Sequence, residues 1–243
     1  MTLAIIGGTG LTSLEGLEIA RREMVHTPYG EPSGPVSHGE LHGRRVMFLA
    51  RHGYGHTIPP HRVNYRANVW ALKHVGADQV LAVAAVGSID EALRPGHLAF
   101  PDQIIDYTSA REHTFFDEDV NHIDFTHPYD EDLREHLIGA AGQAGLGYAA
   151  QGCYAATQGP RLETAAEIRR LARDGCTMVG MTGMPEAALA HELDLPYASC
   201  AVCANWAAGF QGQASVAMND IESNLRHGMD QVRTLLGQLI PRL

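Results

Sequence analysis

Four cysteines in 243 residues, at positions 153, 176, 200 and 203, are too few and too scattered for a disulfide framework. A reducing, cytoplasmic setting is expected. Cys200 and Cys203 form a C-x-x-C, but it lies in the apolar run 197–204. On a strand, positions three apart point to opposite faces, so a shared metal is not expected there. Basic residues are also in deficit, with 18 Lys and Arg against 28 Asp and Glu and a formal net charge of −10. That sign argues against nucleic acid or an anionic membrane as main partner, and any anion must meet a local basic pocket. No apolar run reaches membrane-spanning length. The apolar start is too short for a secretory signal and has no basic lead. Repeats, low-complexity tracts and linker-like shifts are missing too. One domain over 1–243 is therefore expected, with 45% apolar residues to fill its core.

What is present starts with Ile5-Ile6-Gly7-Gly8-Thr9-Gly10. It reads as a buried strand running into a tight turn with bare amides and a hydroxyl beside them, a cradle for an anion. The anion is either a dinucleotide pyrophosphate or free phosphate; a purely structural turn is the third reading. The dinucleotide fingerprint needs a further glycine. Here Leu11, Thr12 and Ser13 follow Gly10.

Downstream, strands alternate with helices. A strand over 46–50 ends in Arg51-His52-Gly53, well placed for an anion at a strand end. His56 and His61 follow, but their spacing matches no zinc pattern and Pro59-Pro60 breaks any helix there, so no metal is expected. Helical spacing covers 63–75, and an apolar central strand covers 79–86. A strand is expected over 97–105, a helix over 130–144 and a strand over 148–156. Between them, 109–130 is polar and irregular, with no obvious role inside one subunit. The turn Thr157-Gln158-Gly159-Pro160-Arg161-Leu162-Glu163 leads into a helix ending near 173. Glu163 either serves that helix N-terminus or points into a site. A strand over 177–181 enters Thr182-Gly183-Met184-Pro185-Glu186, where a helix to about 193 begins. The strand 197–204 ends in Asn205-Trp206-Ala207, and a helix over 219–239 closes the chain. The alternation predicts an α/β fold: one mixed, largely parallel sheet with helices on both faces. Thr9, Arg51-His52, Thr182 and Asn205 each follow a strand, and converging strand ends make the case for an enzyme.

Five segments together resemble the purine nucleoside phosphorylase / methylthioadenosine phosphorylase family over nearly the whole chain. They are Gly7-Gly8-Thr9-Gly10, Arg51-His52-Gly53, the stretch 63–73 (VNYRANVWALK), Gln158-Gly159-Pro160-Arg161, and Gly180-Met181-Thr182-Gly183-Met184-Pro185-Glu186. The resemblance implies a phosphorylase/hydrolase-like fold and a phosphate pocket from Thr9, Arg51, His52 and Thr182, with Met181 against the ribose. A Thr-Ala pair of the family is Ala84-Ala85 here, so only backbone could serve phosphate at that point. No metal or organic cofactor is implied, only phosphate as co-substrate. A homotrimer whose neighbours complete each site is implied as well.

By the same resemblance, members acting on adenine nucleosides carry aspartates where this chain has Asn205 and Ala207, while oxopurine enzymes carry asparagine there and a glutamate at the position of Glu163. Asn205 both donates and accepts, which suits a 6-oxopurine, and Glu163 can accept the ring N–H that hypoxanthine has and adenine lacks. Asn205 and Glu163 are thus the expected catalytic contacts to the leaving base, with Trp206 and Ala207 beside them. The sugar end looks nearer the methylthio branch, with Met218 at the expected methylthio wall. Phosphorolysis of a methylthionucleoside of hypoxanthine is therefore expected. The alternatives are inosine/guanosine phosphorolysis or methylthioadenosine phosphorolysis. A dinucleotide-dependent reductase would need a Tyr-x-x-x-Lys pair or an equivalent acid, and no tyrosine here is followed four residues on by lysine.

Overall fold

The computed structural model describes residues 1–213, 215 and 217–243. Among the described residues, strands β1 (Leu3–Gly7), β2 (Glu18–Glu23), β3 (Val36–Leu41), β4 (Arg44–Ala50) and β5 (Gln79–Ser88) come first. The helix α1 (Tyr65–His74) joins β4 to β5, and β6 (Leu98–Ala99) and β7 (Gln103–Asp106) lead to α2 (Glu131–Gln143). Then come β8 (Tyr148–Ala149), β9 (Cys153–Ala156), α3 (Ala165–Arg173), β10 (Met178–Gly180), α4 (Gly183–Glu192), β11 (Tyr197–Trp206) and α5 (Met218–Leu239).

All eleven strands join one mixed sheet, and β5 is its hub. Its uncharged sequence QVLAVAAVGS suits a strand covered on both faces. On one edge β11 runs parallel to it from Tyr197 opposite Val80 to Trp206 opposite Ser88. On the other edge β1 pairs in parallel only as far as Ile6 opposite Ala82. The antiparallel β10 takes that edge from Val179 opposite Gly87. β9 and β7 follow β10's direction. The sheet thus has two opposed halves, and the carboxyl ends of β1 and β4 face those of β9 and β10.

Side-chain alternation divides the core into two layers. Ile6, Leu49, Leu72 and Leu189 pack on one face, under α1 and α4. Ile5, Phe48, Val232 and Leu236 pack on the other, under α2 and α5. Cys203 belongs to the first layer and Cys200 to the second, as a strand requires. Helices therefore cover both faces, as the alternation predicts.

Several boundaries differ from the sequence pattern. The expected strand 97–105 is two pieces, β6 and β7, and 148–156 is also two, β8 and β9. Arg134 on α2 explains the breaks: only 4% exposed, it donates to the carbonyls of Phe100, Pro101 and Ala150. It also pairs with Glu131. Backbone acceptors that a continuous ladder would satisfy are satisfied by a side chain instead. The antiparallel β2 and β3 that extend the sheet beyond β4 have no counterpart in the sequence pattern; β2 (EIARRE) is exposed and carries no apolar period.

Arg134→Met should lower the unfolding free energy by about 3 kcal/mol, since buried carbonyls lose their donors. Arg21→Met, which breaks an exposed pair with Glu23, should cost no more than about 0.5 kcal/mol. Denaturant midpoints of the two variants measure the difference.

Candidate active site

Between Ala82 and Gly87, residues 83–86 of β5 have no strand partner on the β1/β10 edge. A cleft of about 560 Å³ opens there, walled by the ends of both sheet halves. Ala84 and Ala85 line it, along with Gly8 and Thr9 from the first turn. A Cβ on Gly8 would lie 2.6 Å from the Val83 carbonyl oxygen and 2.9 Å from Arg51 Nη1, so only glycine lets the turn come this close.

Arg51 and His52 extend from β4. The Arg51 backbone N–H donates to the Gly7 carbonyl at 2.9 Å, which ties the two turns together. Its guanidinium is 1% exposed and donates to both carboxylate oxygens of Glu186 at 2.7 Å, and to the Val83 carbonyl at 2.9 Å. Tyr197 donates to Glu186 as well, at 2.9 Å. Burial works against the Arg51 charge, but the Glu186 carboxylate outweighs it and holds Arg51 firmly protonated. Arg51 lines the cleft, but as half of a buried ion pair with two of its five N–H groups uncommitted, not as a free cation. Glu186, read from the sequence as a helix-start residue, is its fully buried partner.

His52 Nδ1 lies 2.8 Å from the Ile58 carbonyl. A carbonyl only accepts, so Nδ1 carries the proton. Burial, and then the Arg51 charge, push the ring's pKa down to about 4. At neutral pH, Nε2 is therefore an acceptor, suited to a protonated phosphate oxygen. His56, considered in the sequence only for metal, lines the cleft and lies 3.1 Å by Nε2 from Thr9 Oγ1. Its ring meets His52 edge-on at 5.1 Å.

The opposite wall comes from β9 and β10. Met181 and Thr182 line the cleft beyond β10, and the Thr182 hydroxyl makes no capping bond to α4. Glu163 lines it too. Of its two sequence readings, the helix-terminus role is filled by others: Thr164 and Glu167 form a reciprocal capping box on α3. Glu163 Oε1 instead accepts from Thr157 Oγ1 at 2.6 Å.

At the end of β11 the register shifts between Cys203 and Asn205. Such a bulge re-aims the residues after it. Asn205 and Ala207 line the cleft. Asn205 donates one N–H to the Trp206 carbonyl at 2.7 Å, leaving its other N–H and its carbonyl oxygen. Two expected contacts are corrected. Trp206, the next residue on a strand, does not line the cleft and packs against Phe210 at 5.6 Å. Met218, the first residue of α5, is 62% exposed and outside the cleft; Ile221 and Leu225, further along the same helix, form that wall.

The polar segment 109–130 has a role inside the subunit after all. Arg111, 8% exposed, donates to the carbonyls of Met181 at 2.8 Å, Met184 at 2.6 Å, Gln158 at 2.9 Å and Thr157 at 3.2 Å. It ties the turn before Glu163 to the turn carrying Met181 and Thr182. Nothing near it in the sequence marks it out, because its partners are backbone atoms distant in the chain.

Comparisons with known proteins identify the family. A sequence profile described as the phosphorylase superfamily matches residues 2–241. A protein of Pseudomonas syringae pv. tomato named "Probable S-methyl-5'-thioinosine phosphorylase" is 56% identical over 240 residues, covering 98% of this chain and 97% of the relative. The "6-oxopurine nucleoside phosphorylase" of Pyrococcus furiosus is 44% identical over 250 residues, covering 99% and 93%. Among solved structures, methylthioadenosine phosphorylase from Schistosoma mansoni in complex with adenine superposes with a TM-score of 0.95 at 32% identity, covering 99% of this chain and 91% of that one.

The depressed His52 pKa has a stability consequence. Its folded value of about 4 lies below the ordinary 6.5, so below 6.5 the unfolded chain takes up the proton more readily. The His52 contribution is complete above pH 6.5 and is lost as pH falls towards 4. Unfolding midpoints measured from pH 7.5 to pH 4 should fall less steeply for His52→Gln than for the wild type.

Proposed function

The chain belongs to the phosphorylase superfamily, and we propose that its cleft converts S-methyl-5'-thioinosine and phosphate into hypoxanthine and 5-methylthioribose 1-phosphate. The observation that carries the base choice is the Glu163 carboxylate at the cleft wall, facing a site whose other base-end residues are Asn205 and Ala207. A carboxylate there accepts the N1–H of a 6-oxopurine, and against adenine it meets a lone pair. The free N–H of Asn205 suits O6, and its carbonyl oxygen suits N7 once that nitrogen is protonated on the departing base. The names of the Pseudomonas and Pyrococcus relatives, both referring to oxopurine nucleosides, support the same reading.

In the proposed reaction the bond between C1' and N9 breaks, its electron pair leaves with the base, and a phosphate oxygen bonds C1' from the opposite face of an oxocarbenium-like sugar. Asn205 donates to O6 as negative charge develops on the base, Glu163 holds the N1–H, and N7 takes up through water the proton that the phosphate gives up, so that the base leaves as neutral hypoxanthine. Thr9, His52, Thr182, the uncommitted N–H groups of Arg51 and the unpaired backbone edge at Ala84-Ala85 hold the phosphate. His52 accepts from the protonated oxygen of that phosphate. Met181 packs on the ribose, and Ile221 and Leu225, in place of Met218, face the 5'-methylthio group. Phosphate is a co-substrate, and neither metal nor organic cofactor takes part. The four free thiols fit a reducing cytoplasm. Among the described residues, no helix is long and apolar enough to cross a membrane. The working assembly is a homotrimer.

Base release should need phosphate and survive a chelator, and the purified protein should sediment as a trimer. Equal release without phosphate would make it a hydrolase. Methylthioinosine should exceed methylthioadenosine in kcat/KM by up to about 10⁴-fold, because a site built to pair a group rejects the analogue lacking it. Inosine should fall between them, its 5'-hydroxyl stranded on an apolar wall. Glu163→Ala should narrow the gap between bases, and Asn205→Asp with Ala207→Asp should shift preference towards adenine. Equal rates on the two methylthionucleosides would refute the base assignment; equal rates on inosine and methylthioinosine would refute the wall at Ile221 and Leu225.

A further inference from the structure

We propose that Thr157 is a specificity-determining positioning residue: its hydroxyl fixes the Glu163 carboxylate so that one oxygen is left to meet the base. The inference rests on the functional reading above. Glu163 lines both the main cleft and a second cavity of about 450 Å³. Thr157 lines only the second. It therefore bonds Glu163 without lining the main cleft.

The direction of the bond follows from counting protons. A threonine hydroxyl has one to give. Two acceptors lie near Oγ1: Glu163 Oε1 at 2.6 Å and the Gly180 carbonyl at 3.3 Å. Gly180 already accepts the Thr157 backbone N–H at 2.8 Å. The shorter contact to a carboxylate takes the hydroxyl proton. Oε1 is thereby engaged, and Oε2 remains as the acceptor for the ring N–H.

Two competing holders of Glu163 are occupied elsewhere. The N-terminus of α3 is capped by Thr164 and Glu167. Arg161, the neighbouring cation, is bidentate on Glu167 at 2.8 and 2.9 Å. Thr157 itself is anchored at both ends of its peptide unit, by the Gly180 carbonyl and by Arg111 Nη2, which donates to the Thr157 carbonyl at 3.2 Å. The donor is thus fixed by the frame that also fixes Met181, and a rigid donor orients the carboxylate better than a solvent-exposed one.

The test uses the purified full chain. Thr157→Val keeps the shape and removes the proton; Thr157→Ser keeps the proton. The readouts are kcat/KM for methylthioinosine and methylthioadenosine, and KM for phosphate. Thr157→Val should lose about ten-fold or more on methylthioinosine, the scale of one hydrogen bond to a charged group. Methylthioadenosine turnover and phosphate KM should change by less than about twofold, and Thr157→Ser should stay close to wild type, since neither touches that bond. Equal losses on both nucleosides, or a raised phosphate KM, would show a merely structural role and overturn the proposal. A wild type that discriminates, beside a Thr157→Val that discriminates equally, overturns this proposal alone. A wild type without oxopurine preference overturns the functional reading along with it.

Discussion

The carboxylate of Glu186 and the guanidinium of Arg51 are almost wholly removed from water, at 0% and 1% exposure. Taking two charges out of water costs several kcal/mol each, so such a pair persists only when geometry and additional hydrogen bonds repay it. Here the geometry is bidentate, and Tyr197 and the Val83 carbonyl satisfy further positions. Removing one partner from a pair of this kind costs about 3–5 kcal/mol, because the other is left charged and unpaired. The position of the pair matters as much as its strength. Arg51 follows β4, in the sheet half parallel to β5, and Glu186 opens α4 just after β10, in the half that runs against it. The pair bolts the two halves together across the stretch of β5 where no strand does so.

That missing strand is what makes a site. A continuous ladder along β5 would have left no unpaired backbone at 83–86 and no room for a ligand. Because β1 stops and β10 arrives from the opposite direction, carboxyl ends of strands from both halves look into one space. One side supplies Thr9, Arg51 and His52; the other supplies Met181, Thr182 and, through the turn after β9, Glu163. Groups from both halves therefore surround one ligand, which is what a displacement at a sugar carbon needs when an anion approaches one face and a base leaves from the other.

Much of this was legible in the sequence, for identifiable reasons. Strands β1, β4, β5 and β11 are short apolar runs that end in glycine or in polar residues, and the residues after them were placed at the cleft by that rule. What eluded the sequence depends on direction, register or distant partners. Nothing in Met178–Gly180 reveals that β10 runs against β5. The bulge before Asn205 leaves Asn205 at the cleft and Trp206 outside it, a distinction of one residue on a strand whose faces alternate. Met218 lies on the helix whose Ile221 and Leu225 line the cleft, but too near its start to reach it. Arg51 was seen as a cation, while Glu186, 135 residues away, was not seen as its counter-charge. Strand β2 is exposed along its length and has no apolar period to find.

Arg111 shows why the two ends of the cleft behave as one body. Its donors reach the backbone of the turn that carries Glu163 and of the turn that carries Met181 and Thr182, and it also contacts the Tyr65 hydroxyl on α1 at 3.3 Å. A guanidinium is planar and presents its N–H groups in a fixed fork, so carbonyls that bind to it are set in a common frame. Lysine, with a single rotating ammonium, could not hold four carbonyls in that arrangement. Glu163 and the Met181–Thr182 wall are therefore positioned by the same plane of donors, and shifting one turn strains the bonds to the other. Phosphorolysis demands that the attacking oxygen, C1' and the departing nitrogen be aligned at once, and misplacement by about 1 Å costs on the order of 10²-fold in rate. A rigid link between the two turns, buried behind the cleft and built from an irregular segment, meets that demand without placing any group in the path of the substrate.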